Sequence, residues 1–398
     1  MIVVINLRRN FKILWFGSLI TELGNAMTLP FIVLYIQTLG EFTTPQLNGL
    51  GAAAFAITYV SKALVSPLWG RLADLKGRKL MCLRASGVMT LTIIGVGLAP
   101  NVTVLLGLRA LQGAFSGYIN NANALVSLTT PVAMRGQQLS KLITGSITGT
   151  LLGPLLGGLL ATSVGYRGAF FVTGLLMGLV FGLTWWGVTE AVTPVEREAL
   201  PSLWPVLRQI GLPFLLALFS SLLVIQATTN AITPILSLFV GQLVTEPSQI
   251  VLMTGLVAAA PGFATIIMAN RVGRWLDRIG ATRCLIIFLS LAIVNLVLTS
   301  FVVEIWQLGL LRFILGIADA ALLPAIQLLT IEHVPRAAFG RVFSLNQSAQ
   351  STGNVVGPLL AAVIANHWGY QPIFFVTACL EVIVLGLWVS YFRLQRRH

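Results

Sequence analysis

The sequence predicts an all-α membrane protein with twelve transmembrane helices in two similar six-helix halves. Its composition, the spacing of its apolar segments and an internal repeat support this fold class. Of the 398 residues, 56% are hydrophobic and 9% are charged. Soluble domains carry roughly 25% charged residues, so most of this surface must face lipid. The net charge of +13 does not indicate nucleic-acid binding, because the basic residues lie in short runs between apolar segments.

Twelve apolar segments are long enough to cross a bilayer, which takes about 20 residues. These segments are 13–39, 46–69, 80–99, 102–129, 139–163, 168–189, 208–240, 249–269, 284–302, 306–329, 340–365 and 372–392. If the N-terminus is cytoplasmic, the cytoplasmic segments hold 21 basic residues, whereas the outer loops hold Arg167 alone. Basic residues accumulate on the cytoplasmic side of membrane proteins, so we expect both termini there.

The internal repeat divides the chain into two halves. At a shift of 203 residues, Gly70-Arg71 recurs as Gly273-Arg274 and Arg109 recurs as Arg312. At a shift of 204 residues, Gly153-Pro154 recurs as Gly357-Pro358, and the Phe-Phe-Val-Thr segment at 170–173 recurs at 374–377. We therefore predict an N-terminal half (1–189), a cytoplasmic linker (190–207) and a C-terminal half (208–398). Two parallel halves with a site between them at the bilayer midplane are typical of transporters.

The loop after span two reads Gly70-Arg-Leu-Ala-Asp74-Leu-Lys-Gly77-Arg78-Lys. Its glycines permit a tight turn and its charges can bind other helix ends. This spacing resembles the signature loop of the major facilitator superfamily, and a second copy contains Asp277. The resemblance implies that Asp74 engages the start of span eleven near Arg341 and helps to close the cytoplasmic side. The predicted gating residues are Gly70, Asp74, Gly77, Arg78, Asp277 and Arg341.

Small residues recur every fourth position in span five, at Gly149, Gly153 and Gly157, next to Pro154 and Gly158. This spacing lets two helices approach closely while the proline bends one of them. A packing seam is the simpler interpretation, but the pattern also resembles the antiporter motif of exporters in the superfamily. The segment from Leu108 to Gly113 resembles the arginine motif that this superfamily links to proton coupling. Together these motifs imply a twelve-span drug:proton antiporter.

Three acidic residues lie within predicted spans, namely Glu22, Asp319 and Glu381. A charge at the bilayer centre costs at least about 2.5–3.5 kcal/mol, so it usually marks function. Asp319 follows Arg312 by seven residues, which is two helical turns or about 10 Å on one face. We predict that Asp319 couples protons and that Arg312, with its repeat mate Arg109, tunes proton binding or holds an anionic substrate. An ion pair that only orients helices is the alternative.

Glu22 and Lys62 lie at similar depths in spans one and two, so we expect them to pair. A paired Glu22 would stay ionised and have a structural role, whereas an unpaired Glu22 could couple protons. The sequence leaves both roles open. For Glu381, the family resemblance places span twelve on the outer rim, which implies a helix contact or a side chain that snorkels to the interface.

Polar and aromatic residues of the cavity-lining spans are predicted to bind substrate. They are Asn25, Tyr35, Phe115, Tyr118, Asn120, Asn123, Gln226, Asn230, Asn346, Gln350 and Asn354. The last three recur every fourth residue and form one polar stripe on span eleven. A large, mostly apolar pocket with few polar groups suits lipophilic and amphiphilic drugs.

The predicted function is proton-coupled export of such drugs by alternating access. We expect a monomer in a bacterial cytoplasmic membrane, with protons, drugs and lipid as partners, without nucleic acid, cofactor or metal. An exporter or flippase of a specific metabolite or lipid, or an uncoupled facilitator, remains an alternative. An enzyme is disfavoured because no histidine lies within a predicted span, and no glycine-rich nucleotide motif indicates ATP as the driver.

Overall fold

The computed structural model describes residues 7–131, 134–190, 210–334 and 339–395, and within these residues the chain is helical without strands. Fourteen α-helices lie in the described ranges. They are α1 (Leu7–Thr28), α2 (Ile32–Gln37), α3 (Thr44–Lys76), α4 (Arg78–Gly97), α5 (Val102–Phe115), α6 (Tyr118–Thr129), α7 (Arg135–Gly187), α8 (Leu212–Ala231), α9 (Leu236–Leu243), α10 (Ile250–Ile279), α11 (Ala281–Thr299), α12 (Ile305–His333), α13 (Phe339–Trp368) and α14 (Gln371–Gln395). Apart from Glu190, the predicted linker lies outside the described residues.

These helices account for the twelve predicted spans. Ten segments of the described chain are long and apolar enough to cross a membrane. One of them, Lys141–Gly187, holds two spans because Gly165 interrupts it with a non-helical backbone (φ 76°, ψ 170°). The remaining span is α13, a helix of 30 residues that contains the predicted polar stripe. The predicted all-α membrane fold is confirmed.

Glycines with a positive φ end corresponding spans in the two halves. Gly77 (φ 90°) separates α3 from α4, and Gly280 (φ 81°) separates α10 from α11 at a shift of 203 residues. Residues with a Cβ rarely adopt this backbone conformation, so both turns require glycine. The loop motif is therefore repeated in structure as well as in sequence.

Span four is not one continuous helix. It breaks between α5 and α6 at Gly117 (φ 119°), which leaves carbonyl groups without helical partners. The Trp69 indole donates a hydrogen bond to the Ala114 carbonyl (2.7 Å), and Arg84 Nη2 donates to the Ser116 carbonyl (2.8 Å). A broken helix is tolerated in a membrane when other groups satisfy the freed backbone in this way. The corresponding helix of the second half, α12, is continuous.

The described chain divides into two compact units. The first comprises the described parts of Met1–Phe42, Ala53–Glu198 and Ser248–Ala259, and the second those of Thr43–Ala52, Ala199–Pro247 and Ala260–His398. The units differ from the predicted halves in the short segments at the starts of α3 and α10, which belong to the unit formed mainly by the other half. In the first unit α7 packs along α1 and α4, and in the second α13 packs along α8.

The two units also repeat a close helix contact. In the first unit, Gly113 on α5 lies against the Thr58 carbonyl of α3. In the second, Gly316 on α12 lies against the Pro261 carbonyl of α10, at a shift of 203 residues. A side chain at either glycine would collide with backbone atoms, which cannot move aside as a flexible side chain can. The same small residue is therefore needed in both units.

Candidate functional site

Glu22 and Lys62 come together in the first unit. The two side chains interact electrostatically, and Asn25 lies beside the Glu22 carboxyl group. Both charged residues are partly buried. A Cβ placed on Gly149 of α7 would lie 3.1 Å from the Cβ of Glu22, so the pair adjoins the seam between α1 and α7. The sequence predicted an ion pair here from the matching depth of the two residues, and the structure shows an electrostatic interaction between them.

Arg109 is 4% exposed and lies in the same unit. Its Nε donates a hydrogen bond to the Ala54 carbonyl (3.1 Å), and its Nη1 donates to the Gln112 side-chain carbonyl (2.9 Å). Both acceptors are neutral groups. Arg109 therefore ties span four to span two, and this geometry favours a positioning role over proton exchange.

Arg312 corresponds to Arg109 in the second unit but meets different partners. It is 6% exposed, and its Nε has no hydrogen-bond partner in the described part of the chain. Leu315 stands where the first half has Gln112, so the amide acceptor is missing. The charge that acts on Arg312 is Asp319, a partly buried residue on the same helix. This arrangement places a carboxyl group and a guanidinium group within the apolar interior of one unit.

The predicted polar stripe on α13 faces α8. Asn230 Nδ2 donates a hydrogen bond to Asn354 Oδ1 (2.8 Å), and Gln226 Nε2 donates to Gln350 Oε1 (3.3 Å). The third member, Asn346, is 3% exposed, and its Oδ1 has no hydrogen-bond partner among the described residues. Each amide side chain carries both a hydrogen-bond donor and an acceptor, so it can bind either an acceptor or a donor of a substrate.

Two aromatic residues that were predicted to bind substrate are buried in helix contacts. Tyr35 is 1% exposed, and its hydroxyl donates to the Val96 carbonyl (2.7 Å). Tyr118 is 0% exposed, lies against Gly17 and shares a 3.0 Å hydrogen bond with the Thr184 hydroxyl. Neither side chain has an exposed surface that a substrate could contact in this structure. The sequence showed an aromatic residue in a span but not which way it points.

The other residues of span four that were predicted to bind substrate lie in different environments. The Phe115 ring packs against Trp69 (centroids 5.2 Å apart). Asn120 is exposed, whereas Asn123 is partly buried and its Oδ1 has no hydrogen-bond partner in the described chain. An apolar groove of about 530 Å³ lies between α4 and α7. The residues that line it include none of the predicted substrate contacts.

The antiporter motif forms a close seam between α7 and α1. Gly149 lies against the Leu19 carbonyl, and Gly157 lies against the Met27 carbonyl. A Cβ on Gly153 would approach the Ala26 Cβ to 2.5 Å. Further along, Gly158 lies against the start of α10, where a Cβ would be 3.6 Å from the Gly255 Cα. Pro154 lies inside the helix.

Span eleven repeats this seam in the second unit. Gly353 lies against the Leu223 carbonyl of α8, and Gly357 lies against the Ala227 carbonyl. These four residues correspond to Gly149, Leu19, Gly153 and Leu23 at a shift of 204 residues. The motif therefore brings spans five and one, and spans eleven and seven, into the same close contact.

The loop motif caps a helix in a way that the sequence did not indicate. The Glu190 carboxylate accepts hydrogen bonds from the backbone N–H groups of Arg78 (2.8 Å) and Lys79 (2.7 Å) at the start of α4. A carboxylate at a helix N-terminus is favourable because it satisfies free N–H groups and opposes the helix dipole. Glu190 was assigned to the linker, and no local pattern connects it with a loop more than 100 residues earlier.

The predicted gating residues lie near the end of α3, at the turn into α4, near the end of α10 and near the start of α13. Gly70 has open space around it, Gly77 forms the turn, and Asp277 is exposed. The side chains of Asp74 and Arg341 lie outside the described residues, so the expected contact between Asp74 and span eleven stays a prediction.

Glu381 does not snorkel to the membrane interface. It is 2% exposed within α14, which packs against α8 and α11. Its Oε2 has no hydrogen-bond partner in the described part of the chain. Of the two roles implied for this residue, a helix contact fits its burial and snorkelling to the interface does not.

One family model matches the chain twice, in two segments that overlap. The Major Facilitator Superfamily model matches residues 14–244 and again residues 218–398. The chain belongs to the major facilitator superfamily. It is therefore a multi-pass membrane transporter.

Several bacterial proteins of this superfamily resemble the chain over nearly its whole length. The multidrug resistance protein MdtG of Salmonella arizonae is 41% identical over 396 residues, covering 99% of this chain and 98% of that protein. MdtG of Erwinia billingiae is 40% identical and covers 99% and 95%. MdtG of Proteus mirabilis is 38% identical and covers 98% of each.

Solved structures show the same fold at low sequence identity. The POT family transporter PepTSo matches with a TM-score of 0.82 and 12% identity, covering 98% of this chain and 99% of that one. A bacterial homologue of the lysosomal transporter Spinster matches with a TM-score of 0.78 and 14% identity, covering 96% of each chain. At these identities the likeness concerns the fold alone.

Proposed function

We propose that the chain is a proton-coupled antiporter that exports lipophilic and amphiphilic drugs by alternating access. Relatives at about 40% identity over nearly the whole length carry the name of multidrug resistance proteins. The distribution of basic residues supports a bacterial cytoplasmic membrane with both termini inside. The protein would act as a monomer on small molecules and protons.

The observation that supports proton coupling most strongly is the electrostatic interaction between Asp319 and Arg312. Both lie within one apolar helix, and Arg312 is buried without the neutral acceptors that hold Arg109. An ionised Asp319 is neutralised by Arg312, and a protonated Asp319 is neutral without it. The carboxyl group can therefore hold either state inside the membrane, which a reversible proton carrier requires.

The substrate would bind beside the polar stripe of α13 and α8. Asn346 carries a buried carbonyl oxygen without a hydrogen-bond partner in the described chain. A ligand that donates a hydrogen bond to such an oxygen would relieve the cost of leaving it unpaired. The apolar residues around the stripe would then contact the lipophilic part of the drug.

The proton gradient provides sufficient energy for this exchange. One proton that moves down about 150 mV releases roughly 3.5 kcal/mol, enough for a gradient of several hundredfold in a neutral drug. Antiport requires that drug and proton are not carried together. That condition holds if the drug binds only when Asp319 has lost its proton and Arg312 neutralises the carboxylate.

The test is drug-induced proton movement in everted membrane vesicles, in which the cytoplasmic face points outward. Respiration acidifies the interior, and addition of a lipophilic drug should then release protons from wild-type vesicles. Asp319→Asn should sharply lower this release, because an amide cannot exchange a proton at that position. Glu41→Gln, a substitution at an exposed residue, is the matched control and should behave as wild type.

Three other results of the vesicle experiment would contradict the proposal. Drug uptake without proton movement would reject antiport and favour an uncoupled facilitator. Proton movement that stays at the wild-type level in Asp319→Asn would reject Asp319 as a carrier. A transported set restricted to one metabolite or lipid would replace the drug exporter with a specific exporter.

A further inference from the structure

Glu381 is a buried acidic residue that the proposed mechanism does not use. It lies ten residues into α14 and is 2% exposed. Two turns later, Trp388 on the same helix is 0% exposed, and its indole donates a hydrogen bond to Ser221 of α8 (2.7 Å). This contact fixes the rotation of α14 about its axis. The Glu381 side chain therefore stays inside the unit and cannot reach water by snorkelling.

Among the described residues, no cation acts on the Glu381 carboxyl group. Thr228 on α8 lies beside it, and Asp319 acts on it electrostatically. Oε2 has no hydrogen-bond partner in the described part of the chain. An ionised carboxylate buried without a cation or a full set of donors is strongly disfavoured. A proton on the carboxyl group removes that cost.

The charged and titratable groups of the neighbouring helices lie towards the helix ends. Helix α8 has no Asp, Glu, Lys, Arg or His. Helix α11 has Arg283 and Cys284 near its start, and α13 has Arg341 and His367 near its two ends. The Arg341 side chain lies outside the described residues. Arg283, Cys284 and His367 do not act on Glu381, whereas Asp319 does. On α14 itself, Cys379 and Arg393 are likewise without effect on this carboxyl group.

We propose that Glu381 is a second proton-binding carboxyl group of the transporter and that it exchanges its proton as a coupled pair with Asp319. This inference rests on the proposed antiport. Asp319 loses its proton first, because Arg312 can neutralise the resulting carboxylate. Glu381 has no such cation and loses its proton second, when a cationic drug brings a positive charge to the unit. Two interacting carboxyl groups of this kind release their protons in two steps that belong to the pair.

The experiment measures proton release by the purified full-length protein in weakly buffered detergent solution on addition of tetraphenylphosphonium. Glu381→Gln should lower the number of protons released per drug bound to roughly half of the wild-type value, because one of two coupled groups is lost. Glu41→Gln, an exposed control, should leave the number unchanged. A Glu381→Gln protein that releases as many protons as wild type would overturn the inference.

A second measurement on the wild-type protein avoids dependence on the folding of the variant. Dicyclohexylcarbodiimide enters apolar sites and forms a stable adduct with protonated carboxyl groups. We expect an adduct on the peptide that contains Glu381 and less of it when tetraphenylphosphonium is bound. An unmodified peptide, or a yield that drug does not change, would reject an exchangeable proton there. If wild type releases no protons at all with drug, the proposed antiport itself fails.

Discussion

Arg109 and Arg312 stand at corresponding positions of the repeat, yet their side chains meet different partners. Arg109 donates to a backbone carbonyl and to Gln112, which are neutral acceptors. Arg312 lacks the amide, because Leu315 replaces it, and faces Asp319 instead. A buried guanidinium held by neutral groups keeps its charge throughout, whereas one that faces a carboxyl group can follow a protonation change. The repeat has thus kept the arginine and placed it in two different environments.

The electrostatic interaction between Glu22 and Lys62 leads to a prediction about folding. Lys62→Ala would leave Glu22 charged and unpaired within the membrane, which costs about 3–5 kcal/mol when the partner of a buried pair is removed. We expect a marked loss of folded protein, measured as yield and as thermal stability in detergent. The double variant Glu22→Gln/Lys62→Ala should restore both, because it leaves no charge to compensate.

Lys76→Ala removes an exposed lysine from the end of the same helix and should be neutral. A double variant as unstable as Lys62→Ala would show that the pair is not the source of the instability. If the double variant folds but no longer moves protons with drug, Glu22 belongs to the coupling path.

The seam between α1 and α7 depends on the absence of side chains along one helix. Gly149 lies against the Leu19 carbonyl, and a Cβ there would also approach the Leu23 amide nitrogen to 2.7 Å. These neighbours are backbone atoms, so the helices must separate to accept a side chain. The seam recurs at Gly353 and Gly357 in the second unit, so this close approach of two helices is common to both units.

Gly149→Ala is therefore expected to destabilise the protein by about 1–3 kcal/mol, the usual cost of overpacking, and to lower drug export. Thermal stability in detergent and drug accumulation in cells measure the two effects. Gly107→Ala is the matched control, because it also places one methyl group on a helical glycine but meets open space. Equal stability of the two variants would mean that the seam can widen without cost.

The start of α3 and the end of α13 are joined within the second unit, although they come from different halves of the sequence. Asn48 Nδ2 donates a hydrogen bond to Asn366 Oδ1 (2.8 Å), and the Tyr370 hydroxyl donates to Asn48 Oδ1 (3.1 Å). Burial raises the pKa of the Tyr370 phenol, so its hydroxyl stays protonated and remains a donor. On the predicted orientation this cluster lies at the outer side of the membrane.

If transport proceeds by alternating access, this cluster must open in each cycle. We therefore expect that a disulfide between Asn48→Cys and Asn366→Cys stops drug export and that reduction restores it. The background should lack the native Cys82, Cys284 and Cys379, and each single cysteine variant is a control for the substitution alone. Continued export by the cross-linked protein would reject opening at this point.

Most of the fold could be predicted from the sequence, because its signals are local. Apolar length marks each span, and the positive-φ glycines Gly77 and Gly280 end corresponding helices. The predicted spans end too early where a helix continues beyond its apolar part, as at α3, which extends to Lys76. The proximity of Asp319 to Arg312 was also predictable, since seven residues on one helix leave two side chains on the same face.

The remaining contacts could not be predicted, because they depend on which face of a helix meets another helix and which meets lipid. In a membrane both faces are apolar, so hydrophobic periodicity gives little information about rotation. Burial of Glu381 and Tyr118, and the capping of α4 by Glu190, follow from tertiary neighbours more than 60 residues away in the chain. Sequence pattern specified the spans and their repeat, and the packing of the spans then decided which side chains, Glu381 among them, are buried.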